Sequence, residues 1–167
     1  MILIADSGST KTDWCLVDTE NGINQSFQTK GLNPRFHTIE SIYEELAANL
    51  LPKITNSVSH IYFYGAGCSS SHADLIVYAA LQQAFPTAKI EIAEDMIGAA
   101  RGVCGDQTGL VCILGTGSNS CLYDGKKIVE QMPNLGFLLG DEGSGAYLGK
   151  KVLQYYFYKT LDRKSVV

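Results

Sequence analysis

One order of elements can be read twice along this chain: strand, glycine-and-hydroxyl turn, strand, tight turn, strand. That duplication constrains the fold more than any single residue. The first pass runs through Ile2 to Asp6, a turn rich in Gly, Ser and Thr, Thr12 to Asp18, and Ile23 to Thr29. Asn21-Gly22 supplies the hairpin signal between the last two strands. The second pass runs through Leu110 to Leu114, the turn Gly115-Thr116-Gly117-Ser118, Ser120 to Asp124, and Lys127 to Gln131, with Asp124-Gly125 as its hairpin. The residues differ between the passes, so what repeats is architecture.

Between the passes the chain alternates helix and strand. Ile39, Ile42, Leu46, Leu50 and Ile54 are spaced 3, 4, 4 and 4, which predicts a helix over Thr38 to Ile54 with one buried face. A strand follows at Ile61 to Tyr64, a helix from Ser71 to Phe85, a strand at Ile90 to Ala93, and a helix from Met96 to Val103. The order is β-β-β-α-β-α-β-α. Strands joined through helices pair in parallel and the first three form a meander, so the expected sheet is mixed and the class α/β. Gly105 to Gly109 reads as a linker, giving a lobe at 1–105 and an incomplete second one at 106–167. The last helix, Ser144 to Leu161, carries Val152, Leu153, Tyr155, Tyr156, Phe157 and Tyr158 almost all round. Such a helix needs cover on several sides. The chain is therefore expected to be cut short, or to be covered by a partner such as a second copy in a homodimer.

Composition excludes several classes. Hydrophobic residues at 46% and charged residues at 18% fit a globular chain rather than a disordered one. A net charge of −4 argues against a nucleic-acid or anionic-membrane surface. Met1 to Ala5 is too short for a secretory signal, and the longest apolar runs fall short of the ~20 residues of a membrane helix. The five cysteines are odd in number and form no C-x-x-C pair, which points to reduced thiols in the cytoplasm.

The two turns share a chemistry. Gly8 allows close backbone approach, while Ser9, Thr10 and Thr12 offer hydroxyls and Lys11 a positive charge. Exposed N–H groups in such a turn form an anion nest. Asp6 would repel a phosphate unless a cation stood between them, so it suggests Mg²⁺, held through water. A solvated β-turn is the plain alternative. Gly115, Thr116 and Gly117 recur at the equivalent place in the second pass, so the pair is expected to clamp a polyphosphate from two sides.

The arrangement resembles the fold shared by actin, the sugar kinases and the heat-shock ATPases, which have a ribonuclease H-like mixed sheet. More narrowly it resembles the N-acetylglucosamine kinases and the wider BadF/BadG/BcrA/BcrD ATPase family. The blocks that carry the likeness are Asp6 to Thr12, Gly31-Leu32-Asn33, Glu94-Asp95-x-x-Gly98-Ala99-Ala100, Leu114 to Asn119, and Leu139 to Ser144. The resemblance implies ATP and Mg²⁺ as cofactors and an amino sugar as substrate. It implies Asp95 as the general base toward the sugar hydroxyl; capping the helix that begins at Met96 is that residue's other reading. Asn33, Asn119, Gly140 and Asp141 match sugar-site positions, and a helix cap is again the alternative for Asp141. Gly8, Ser9, Thr10, Lys11, Gly115, Thr116 and Gly117 match the phosphate turns. The adenosine-binding part of the fold lies later than residue 167, so these residues alone are expected to be inactive.

Two rivals share the fold. One is an ATPase that activates a dehydratase or reductase through an iron–sulfur cluster held between subunits, with Cys104 and Cys121 as candidate ligands. The other is a sugar- or nucleotide-responsive regulator; such proteins usually append a helix-turn-helix, and nothing precedes Met1 here.

Overall fold

A computed structural model describes residues 1–18 and 20–160, in two compact units that divide after Gly98. In the first unit β1 (Ile2–Ser7), β2 (Lys11–Asp18), β3 (Ile23–Lys30), β4 (His60–Gly65) and β5 (Lys89–Glu94) form one sheet in the order β3-β2-β1-β4-β5. The meander β1-β2-β3 is antiparallel, and β1, β4 and β5 run parallel. Helices α1 (Ile39–Asn49) and α2 (Ser71–Ala84) make the crossovers, and α3 (Asp95–Cys104) follows β5. This is the expected mixed sheet in the expected order.

Alternation along the strands decides which face is buried. Leu3 and Ala5 of β1, Trp14 and Leu16 of β2, and Ile61 and Phe63 of β4 pack with Ile42 and Leu46 of α1 and Val77 and Leu81 of α2. Each side chain of that size contributes roughly 1.5–3 kcal/mol by leaving water. Trp14 tilts against Phe63 at 6.1 Å between ring centroids and donates its indole N–H to Thr29 Oγ1 at 2.9 Å. The opposite face receives α3: a Cβ built on Gly98 would lie 2.6 Å from the Tyr64 ring, so only glycine lets the helix pack that closely.

Two expected boundaries move. The helix predicted over Thr38 to Ile54 ends at Asn49, and Leu51–Lys53 form a 3-10 turn. Pro52 is the reason, since it has no N–H to donate and disfavours helical backbone at the residue before it. The start is fixed by Thr38, whose hydroxyl accepts the Ser41 N–H while Ser41 Oγ accepts the Thr38 N–H, a reciprocal cap. At the Asn21-Gly22 hairpin, the Asp18 carboxylate accepts the N–H groups of Glu20 and Asn21, and Gly22 closes the loop at φ +64°.

The second unit holds β6 (Thr108–Leu114), β7 (Ser118–Asp124) and β8 (Ile128–Gln131) in one antiparallel meander. A four-residue helix, α4 (Gly136–Leu139), precedes α5 (Gly145–Phe157). The helix predicted over Ser144 to Leu161 thus starts one residue later and ends at Phe157, with Tyr158 as its C-cap. Ser144 is its cap, accepting the Tyr147 N–H at 3.1 Å. Leu161 lies outside the described residues. Leu148, Val152, Leu153, Tyr155, Tyr156 and Phe157 of α5 are all exposed. Among the described residues no helix is long and apolar enough to cross a membrane.

Candidate active site

The registers set the geometry of the first unit. Ser7 of β1 pairs with Gly65 of β4, which pairs with Glu94 of β5. The C-terminal ends of three parallel strands thus share one sheet edge. The β1–β2 turn, the loop after β4 and the start of α3 all leave from it. Edges of this kind are where open α/β sheets bind ligands.

The β1–β2 turn is built from both ends. Ser7 pairs with Thr12 across its base, and the Gly8 N–H donates to Lys11 O at 2.9 Å. The segment after β3 then clamps it: Gly31 donates its N–H to Thr10 O at 3.0 Å. A Cβ on Gly31 would lie 2.5 Å from Gly8 O and from the Ser9 carbonyl, so this approach requires glycine. Because the Thr10 carbonyl is drawn toward Gly31, the trans peptide sets the Lys11 N–H on the opposite edge of the strand, the side where Lys11 O meets Gly8. Under the turn, Ser7 Oγ and Thr12 Oγ1 lie 2.8 Å apart and fully buried; Thr12 donates to Lys30 O at 3.0 Å, and Ser7 accepts the Leu32 N–H at 3.1 Å. The sequence reading missed this pair as a support. The signal was present, since alternation along β1 and β2 puts both hydroxyls on the core face.

Asp6 faces the other side of the sheet, over an open concavity that Ile4, Asp13, Cys15 and Ser26 also line. Burial, then the charge of Asp13, push its carboxyl above the ordinary aspartate range, and Lys11 only partly offsets them. The Lys11 ammonium is given to Asp13 instead, at 2.6 Å on the exposed surface. Asp95 opens α3. It is the first residue of the helix, and its Oδ1 accepts the N–H of the next residue, Met96, at 2.9 Å. The same carboxyl is nonetheless raised above its usual value, first by burial and further by the Asp6 charge, with the Met96 N–H pulling the other way. A carboxylate poised above the ordinary aspartate range is a better proton acceptor at neutral pH. Glu94 beside it is raised as well, by burial and by the charges of Asp95 and Asp74. Cys68, buried beside these acids, is pushed up to about 12 and stays a thiol.

Asn33 is buried and committed at both ends. Its Nδ2 donates to Ser9 Oγ at 3.2 Å, and its Oδ1 accepts the Arg35 N–H at 2.9 Å. A Cβ on Gly67, which sits at φ +87°, would press into that same Oδ1.

In the second unit the β6–β7 turn is clamped by a different element. Gly145 and Ala146, at the start of α5, donate their N–H groups to the carbonyls of Gly115 at 2.9 Å and Thr116 at 3.2 Å. By the same trans-peptide geometry, the N–H groups of Thr116 and Gly117 turn away from the helix. Asp141, at φ +61°, accepts the Ser118 N–H at 3.2 Å through Oδ1 and the Ser144 N–H at 3.0 Å through its carbonyl. A left-handed aspartate is uncommon, and holding it there costs energy that the surrounding bonds must offset. The Asn119 amide oxygen accepts the Ser120 N–H at 2.9 Å, and Gly140 closes α4 by donating to Gly136 O at 2.8 Å. Cys121 is buried, Cys104 half-buried, and among the described residues no group of three or more His, Cys, Asp or Glu is arranged to hold a metal.

Known structures share this architecture. Two carry the description "putative N-acetylglucosamine kinase". The one from Porphyromonas gingivalis is 45% identical, with a TM-score of 0.90 over 98% of this chain and 58% of its own. The other, from Chromobacterium violaceum, is 23% identical, with a TM-score of 0.72 over 92% of this chain and 55% of its own. MreB5 of Spiroplasma citri bound to ADP shares the fold at 9% identity, with a TM-score of 0.65 over 95% of this chain and 57% of its own. The chain thus spans little more than half the length of these proteins, and no curated protein matches it. The mixed-sheet fold is that of the actin-like ATPases and sugar kinases. A family model matches residues 5–163, and the chain belongs to the BadF/BadG/BcrA/BcrD ATPase family.

Proposed function

We propose that the protein carrying this chain is a cytoplasmic ATP-dependent kinase that phosphorylates a hydroxyl of an amino sugar resembling N-acetylglucosamine. Activity belongs to the full-length protein rather than to residues 1–167 alone. The observation that carries the reading is Asp95: a half-buried carboxyl with a raised pKa, at the edge shared by three parallel strands. The likeness to the P. gingivalis protein, at 45% identity across nearly the whole chain, supports the choice of substrate class.

In this reading Asp95 accepts the proton of the sugar hydroxyl as that oxygen attacks the γ-phosphorus. The bond from the γ-phosphorus to the bridging oxygen breaks, and ADP leaves. Phosphoryl transfer asks the protein mainly for position and charge. Gly8, Ser9, Thr10 and Lys11 in one turn serve the phosphates, as do Gly115, Thr116 and Gly117 in the other, with the Gly8 and Gly115 N–H groups closing their turns on Lys11 O and Gly117 O. Asn33, Asn119, Gly140 and Asp141 serve the sugar. Asp6 is the residue that would hold Mg²⁺. It offers the oxygen donor a hard dication takes, over an open concavity that it shares with the Asp13 carboxylate. A bound Mg²⁺ would supply neutralisation of the phosphate charge. The partners are two small molecules, the sugar and the nucleotide.

The test is an ADP-release assay on the full-length protein against a panel of neutral hexoses and amino sugars. Faster ADP release with an N-acetylated amino sugar is expected. Release that ignores every sugar would overturn the reading, and a brown protein absorbing near ~400 nm would replace it with the cluster-bearing activator.

A further inference from the structure

The segment after β3 is bonded to the phosphate turn almost residue by residue. Lys30 O takes the Thr12 hydroxyl, Gly31 N–H reaches Thr10 O, Leu32 N–H reaches Ser7 Oγ, and Asn33 Nδ2 reaches Ser9 Oγ. The first three are fixed supports beneath the turn. The fourth differs, because it joins two side chains that the proposed kinase would give to different ligands.

We propose that Ser9 is a positioning residue that couples sugar occupancy at Asn33 to nucleotide binding at the Gly8–Lys11 turn. The inference rests on the kinase reading above. A carboxamide NH₂ has two hydrogens and a hydroxyl has one. With one Asn33 hydrogen on Ser9 Oγ, the other is the one a sugar oxygen can take. The Ser9 hydroxyl, having accepted from Asn33, has its own hydrogen to give elsewhere, and the phosphate is the acceptor the turn is built for. Hydrogen bonds in such a chain strengthen one another. A sugar that holds the Asn33 amide in place therefore holds the Ser9 oxygen as well, and aims its hydrogen. The Asn33 oxygen is already fixed by the Arg35 N–H and by the closeness of Gly67, so the amide cannot satisfy a ligand by flipping. Coupling free energies are reciprocal, so nucleotide must tighten sugar by the factor by which sugar tightens nucleotide.

The experiment measures Kd for N-acetylglucosamine and for a non-hydrolysable ATP analogue with Mg²⁺, each with and without the other, on the full-length protein. The parent is expected to show mutual tightening of roughly three- to tenfold, the size of one net hydrogen bond. Ser9→Ala should bring that factor close to 1, and Ser9→Thr, which keeps the hydroxyl, should retain it. Ser9→Gly removes the same hydroxyl in a turn that already contains Gly8, and repeats the test on an independent background. A merely structural role would lower the melting temperature and leave the factor intact. A parent without tightening, or a Ser9→Ala protein that keeps it, would overturn the link while leaving the kinase standing. A parent that binds nucleotide but no amino sugar would overturn the kinase reading, and the link with it.

Discussion

The two units solve one problem with different parts. Each presents a glycine-and-hydroxyl turn between antiparallel strands, and in each a neighbouring segment draws the turn's carbonyls back by hydrogen bonds. In the first unit a coil segment does this through Gly31, packed so closely that a Cβ would meet the Ser9 carbonyl at 2.5 Å. In the second unit the start of α5 does it through Gly145 and Ala146, with a gentler 3.4 Å at Gly145. The strands on which the turns stand also differ. β1 has β2 on one side and β4 on the other, and buries Leu3 and Ala5 completely. β6 has only β7 among the described residues, and its Leu110 and Leu114 are 79% and 70% exposed. The first unit carries its own core. The second carries a turn of equal design on a scaffold with far less burial, and the raised carboxyls Asp6, Glu94 and Asp95 all lie in the first.

That asymmetry predicts unequal consequences for equivalent changes. The largest is expected at Asp95. In the full-length protein, Asp95→Asn should lower turnover on the order of 10²- to 10⁴-fold, the usual reach of a positioned base, while sugar binding stays measurable by calorimetry. The stability effect has the opposite sign. The folded pKa of Asp95 is raised, so its contribution to stability is fully present below the unfolded pKa and is lost as pH rises through the folded one. Asn removes that loss, and the variant should melt higher than the parent at neutral pH. Unchanged turnover would take Asp95 out of the chemistry.

Next comes the pair of clamps. Gly31→Ala places a methyl against backbone that cannot swing aside, and should cost about 1–3 kcal/mol in denaturant titration together with weaker nucleotide binding. Gly145→Ala meets only Gly115 O at 3.4 Å, and falls in a helix where alanine is preferred. It should be near neutral in stability. Equal losses at both positions would mean that the clamps are alike after all.

The sequence was legible where one local rule sufficed. Alternation and helix spacing gave the strands, the crossovers and the buried faces of the first unit, because those elements are amphipathic and short. It was less legible where a proline overrode a good apolar period, so that α1 stops at Asn49 although Leu50 and Ile54 continue the pattern. The site was legible as blocks of residues, not as bonds. Nothing in the string shows that Asn33 and Asp141, matched to the sugar by resemblance, also hold Ser9 and the Ser118 N–H. Those contacts join segments 24 and 23 residues apart and depend on a finished fold. Nor could spacing show that Lys11 would turn to Asp13 instead of toward the turn that contains it.

A smaller change would sharpen the electrostatic side of the contrast. The charge on Asp6 raises the Asp95 carboxyl, although burial is the larger cause. Removing that charge in Asp6→Asn should therefore move the Asp95 titration to lower pH without returning it to an ordinary aspartate value. Carboxyl-carbon NMR on the full-length protein reads this directly and does not require activity. The direction is fixed by Coulomb's law, since a neighbouring negative charge always disfavours ionisation. The size separates the two causes. A small downward shift leaves burial in charge and keeps Asp95 poised as a base whatever occupies Asp6. A full return to the normal range would mean that like-charge repulsion alone holds it up, and a cation bound at Asp6 would then switch the base off as it engaged the phosphates. The half-buried place of Asp95 at the start of α3, where burial outweighs both the Asp6 charge and the backbone N–H groups that stabilise its carboxylate, argues for the first outcome.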